Sequence, residues 1–73
     1  MKIKQIRGGM LLAESSRQRL ESIVFPSIEK ARVEVAQLFP NHVVFSEPGR
    51  ISVVVRDRSF QVATFQEVHD NHR

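Results

Sequence analysis

The chain contains no cysteine, no tryptophan and no tyrosine, and has only three glycines and three prolines in 73 residues. Without cysteine, disulfides and thiolate metal sites are excluded. Without Trp or Tyr, an aromatic platform for stacking bases would have to come from five phenylalanines, which sit among apolar residues in the pattern of a core. Apolar blocks such as Val53-Val54-Val55 are far shorter than the ~20 residues that span a bilayer. The first residues include Lys2, Lys4 and Arg7 but not the apolar run of a secretory signal. A cytoplasmic location and no membrane partner are the expectation.

A chain of this length reads as one small domain over residues 1–73. Such a domain buries only ~60% of the surface its unfolded chain exposes, and small cores rarely supply more than ~3–5 kcal/mol without a staple. With no disulfide available, self-association is the expected staple, a homodimer first. Hydrophobic residues make up 41% and charged residues 26% of the chain. Both are ordinary for a folded protein and argue against wholesale disorder. The net charge of +3 permits an anionic partner without demanding one.

The period of the apolar residues changes at Pro40-Asn41. Before it, they recur every three to four positions. After it, they alternate or run in β-branched blocks. This predicts an α+β domain: two N-terminal helices packed on a three-stranded antiparallel β-meander. Residues 11–24 read as the first helix, with Leu12, Ser16, Leu20 and Ile23 or Val24 on one face and Ser15 or Ser16 as N-cap. Pro26 removes a donor and disfavours helix at Phe25. Either one long helix kinks there or, the favoured reading, the first helix breaks and Pro26 opens a second over 26–38 that buries Ile28, Ala31, Val35 and Leu38 or Phe39. Val33 falls at a semi-exposed position suited to a contact between subunits.

The strands are predicted at 42–46, 51–56 and 60–66. The first turn is Glu47-Pro48-Gly49-Arg50 and the second Asp57-Arg58-Ser59. In the last strand Phe60 and Val62 share one face, Ala63 and Phe65 the other, so the core face swaps. A bulge near Ala63, or burial on both sides, accounts for that. Residues 1–9 read either as a short edge strand guarded by lysines or as a flexible arm, with Gly8-Gly9 as a hinge. Residues 69–73 read as a frayed polar tail.

Motifs for chemistry are sparse. His69 and His72 lack an obvious third ligand, so no metal site is expected. No serine lies in a G-x-S-x-G context, the carboxylates Glu47 and Asp57 fall in separate turns, and Gly8-Gly9 lacks the phosphate-loop pattern. The chain is therefore expected not to be an enzyme and to need no cofactor. Two readings remain. The first is a non-catalytic interaction module, a homo-oligomer that also docks a protein partner through an apolar sheet face. Val44, Val54 and Phe65, with Val33 on the helix, form that surface, so Val54→Glu or Phe65→Glu would weaken assembly without unfolding the monomer. The second is a nucleic-acid-binding regulator contacting phosphates through Lys2, Lys4, Arg7, Arg50, Arg56 and Arg58. The two hairpin turns lie at opposite ends of the sheet, placing Arg50 about 17 Å from Arg56 and Arg58.

Overall fold

The computed structural model describes residues 1–69. It is an α+β fold in which two helices cover one face of an antiparallel sheet of four strands, one more than the meander alone. In chain order the elements are β1 (Lys2–Arg7), a 3₁₀ turn (Gly9–Leu11), α1 (Glu14–Ser22), α2 (Ile28–Leu38), β2 (Val43–Glu47), β3 (Arg50–Val54) and β4 (Gln61–Val68). The strand order is β1-β4-β3-β2. The N-terminal segment is thus an edge strand, paired antiparallel with β4 from Lys2 opposite Val68 to Arg7 opposite Thr64. The His69–His72 pairing and the frayed tail expected over 69–73 fall largely outside the described residues. His69 itself lies 3.7 Å from the Glu67 carboxylate.

The helices separate at residues 23–27, as Pro26 predicts, but Pro26 does not open α2. Ser27 is the N-cap, its Oγ accepting from the Lys30 N–H at 3.3 Å, and Ile28 begins the helix. A serine oxygen here satisfies a donor that the helix cannot pair internally. In α1 the predicted caps Ser15 and Ser16 lie inside the helix. Ala13 precedes it with no side-chain cap, so Glu14 in the first turn is what complements the helix N-terminus. The loop between the helices is held to the residue that precedes β1, where the Phe25 N–H donates to the Met1 carbonyl at 2.7 Å. Phe25 is buried below it.

One core fills the space between helices and sheet. It comprises Ile3, Leu12, Leu20, Phe25, Ala31, Val35, Phe39, Ile51, Val53, Ala63 and Phe65, with Val44, Ile28 and Leu38 packed at its margin. α1 lies against β1, and α2 lies over β2 and β3. Phe65 sits at the centre, fully buried, its ring edge-on to Phe39 with centroids 6.4 Å apart. β3 is an inner strand with Ile51, Ser52, Val53 and Val54 all buried. The β-branched block at 53–54 is therefore kept from edge-to-edge pairing.

The face swap in the last strand is a bulge. Val53 pairs with Ala63 but Val54 pairs with Gln61, leaving Val62 as the extra residue. The extra residue lets Val62 pack at the core margin although it is adjacent to Ala63, while Phe60 lies before β4 and is exposed. A second irregularity leaves Ile6 unpaired between Gln5 and Arg7. Gly8 follows it at φ +114°. A Cβ there would lie 2.9 Å from both the Ala63 Cβ and the Val62 carbonyl oxygen. Gly8 is thus a close-approach glycine pressed against the β4 bulge, not the hinge that Gly-Gly suggests in sequence. Gly9, by contrast, has open space around it.

Candidate nucleic-acid interface

Strand registration decides which residues share a surface, because directly paired residues project from the same face. Ile51 pairs with Phe65, Val53 with Ala63 and Val44 with Val53, and all of these face the helices. The opposite, helix-free face is built from the alternate positions. One cross-strand row reads Lys4, Gln66, Arg50 and Glu47, and the next reads Arg7, Thr64, Ser52 and Phe45. Lys2 lies opposite Val68 at one end, and Gln61, Val54 and Val43 form a row at the other.

The expected apolar sheet surface is not assembled. Phe65 and Val44 lie on the helix-covered face, with Phe65 wholly inside. Val54 projects from the other face and is itself buried, and Val33 is on the outer surface of α2, 42% exposed. The four positions occupy three different environments. Phe65 lies beneath the helices because β4 pairs it with Ile51, and Val44 because β2 pairs it with the core residue Val53.

The basic residues behave differently. Lys2, Lys4, Arg7 and Arg50 are all exposed, and their registers place all four on the helix-free side. Lys4 and Arg50 flank Gln66 across two strand spacings, about 10 Å. Arg56 and Arg58 do not join them. They occupy the β3–β4 turn, beyond the end of β3 remote from Arg50, where Arg58 adopts φ +62° and its N–H donates to the Val55 carbonyl at 2.8 Å. In that turn Asp57 accepts from the Ser59 N–H and hydroxyl, and these bonds hold its carboxyl below the usual range.

Charge is segregated between the layers. The helices carry Glu14, Glu21, Glu29 and Glu34 against Arg17, Arg19, Lys30 and Arg32, which balance. Arg17 pairs with Glu21 at 3.1 Å and Arg32 with Glu29 at 3.0 Å. Elsewhere among the described residues, Arg56 and Arg58 offset Asp57 and Glu67. The helix-free face has four cations against Glu47, so among the described residues it accounts for the net charge of +3. Among the described residues none of those four cations is in an ion pair within 4.0 Å.

The floor between the cations is polar and ordered. Gln61 Nε2 donates to Ser52 Oγ at 2.9 Å, and Ser52 Oγ donates to Glu47 Oε1 at 3.0 Å. Ser52 is 1% exposed and Thr64 4%, although no helix covers them. Gln61 and Gln66 carry no motif that marks them in the sequence as part of a site. The alternation Thr64, Gln66 against Ala63, Phe65 carried that signal, but only once the bulge fixes which parity faces out.

Comparison with protein-family models, with curated proteins and with solved structures finds no match for this chain. The functional reading therefore rests on this geometry.

Proposed function

We propose that this chain is a non-catalytic nucleic-acid-binding module that lays the helix-free face of its sheet against the phosphate backbone. The observation that carries the reading is the segregation of charge: Lys2, Lys4, Arg7 and Arg50 converge on one face and hold its whole positive charge, while the helical layer is neutral. Cations on an open face gain affinity by releasing counterions condensed on the polyanion. Gln66, exposed between Lys4 and Arg50, adds an amide that donates to phosphate or sugar oxygens. With few aromatics beside the cations, the module reads backbone rather than base, so its binding is sequence-tolerant. Arg56 and Arg58 lie off this surface and are assigned no contact.

The test is fluorescence anisotropy with a labelled random-sequence duplex at low salt, comparing the native chain with Lys4→Glu/Arg50→Glu and with Arg56→Glu/Arg58→Glu. Binding lost in the first variant and kept in the second supports the reading. Equal losses in both, or none in either, overturn it. The purified protein carries a second check. A chain without Trp or Tyr is nearly transparent at 280 nm, so co-purified nucleic acid is conspicuous near 260 nm.

A further inference from the structure

We infer that β2 is a self-pairing edge, through which two copies of this chain join antiparallel into one continuous eight-stranded sheet. The two edges of the sheet are built differently. β1 carries Lys2, Lys4 and Arg7, is interrupted at Ile6 and ends against Gly8-Gly9. Charges and bulges are among the devices that keep an edge from pairing. β2 has none of them over Val43-Val44-Phe45-Ser46, which contains no charge, no proline and no bulge, and its register with β3 is regular throughout.

The hairpin fixes which backbone groups are free. Only Pro48 and Gly49 separate Glu47 from Arg50, so Glu47 and Arg50 form the closing hydrogen-bonded pair. Alternation then directs Phe45 and Val43 toward β3, and sends the N–H and C=O groups of Val44 and Ser46 outward. A twofold axis through Phe45 pairs Val44 of each copy with Ser46 of the other, both outward-facing, so all four strand-edge donors find acceptors. The same axis sets Phe45 opposite its own copy at a non-hydrogen-bonded position, where side chains approach most closely. Phe45 is half-buried on the helix-free face, so an aromatic neighbour across the axis removes apolar surface from water.

Charge does not oppose this register. Glu47 falls opposite Val43, and the two Glu47 side chains stand about 14 Å apart along the strands, beyond the ~8 Å screening length at physiological salt. Because one edge meets its own copy, the pairing closes at two and leaves only the guarded β1 edges outside. The helix-free faces of the two copies become one surface with doubled cations. The dimer stands on the edge alone and does not depend on nucleic-acid binding.

The experiment is light scattering over a concentration series, with amide hydrogen exchange on the same samples. The native chain is expected at twice its 8.4 kDa mass at high concentration, with the Val44 and Ser46 amides gaining protection as concentration rises. Ser46→Pro removes one outward donor at an edge position where proline is tolerated. It is expected to run at the monomer mass with an unchanged circular dichroism spectrum. Ser46→Ala, which keeps the donor, is expected to remain dimeric. A native chain that is monomeric at every concentration overturns the inference, as does a folded Ser46→Pro dimer or an assembly larger than two. Should Ser46→Pro fail to fold, the exchange data on the native chain decide: Val44 and Ser46 amides that exchange freely in the dimer overturn it.

Discussion

Ser46 Oγ donates to Glu29 Oε2 at 2.6 Å, joining the edge strand β2 to the first turn of α2 across 17 residues of sequence. This bond is the main reason the Glu29 carboxyl titrates below its ordinary value of 4.5, with the Arg32 hydrogen bond next. A depressed folded-state value means that the interaction stabilises the fold above the unfolded-state pKa and is lost as pH falls through the folded one. Ser46→Ala is therefore expected to move Glu29 up toward 4.5 in a carboxyl NMR titration. Its melting temperature should lie below the native one near neutrality, the gap closing in acid. An unmoved Glu29 would mean that Ser46 does not hold it.

Gly8 and Gly9 should separate sharply when mutated. Gly8→Ala drives a Cβ into the Val62 carbonyl and the Ala63 side chain at a backbone angle that L-residues avoid. Such local strain costs ~1–3 kcal/mol, with backbone displacement adding to it. Gly9→Ala meets no atom within 4 Å and bears only the left-handed φ of +50°, about 1–2 kcal/mol. Urea denaturation should place the Gly8→Ala midpoint clearly below that of Gly9→Ala. Equal midpoints would contradict the close packing of Gly8 on the bulge.

Phe65 is a folding residue, not a surface one. Truncation of a buried phenylalanine costs ~3–5 kcal/mol, most of the stability available to so small a core. Phe65→Glu, in which a charge must also be desolvated, is expected to give an unfolded far-ultraviolet spectrum rather than a folded monomer. Lys4→Ala and Arg50→Ala, both exposed, should stay within ~0.5 kcal/mol of the native stability. A folded Phe65→Glu protein would place the ring outside the core.

Much of the fold is legible locally. The helices are marked by 3.6-residue spacing, their separation by Pro26, and the change to strands by Pro40-Asn41. Gly49, at φ +71°, takes the conformation that its place after Pro48 in a tight turn requires. Even the bulge is visible as the conflict between Val62 and Ala63. What sequence did not disclose is long-range pairing. Whether residues 2–7 pair at all depends on β4, some sixty residues away, and alternation alone does not tell which parity the helices cover. That single choice sent Phe65 and Val44 inward and gathered Lys2, Lys4, Arg7 and Arg50 outward. The six basic residues divide as they do because Arg56 and Arg58 belong to the turn at the far end of β3, as the strand lengths require.

The most direct test of the account is the salt dependence of duplex binding, measured as the slope of log affinity against log salt concentration. Four phosphate contacts per chain predict a slope of about −3.6, from ~0.9 counterions released per contact. Lys4→Glu/Arg50→Glu should flatten it by about half or more. A shallow slope in the native chain, or no binding at low salt, would contradict the assignment of the helix-free face to a polyanion.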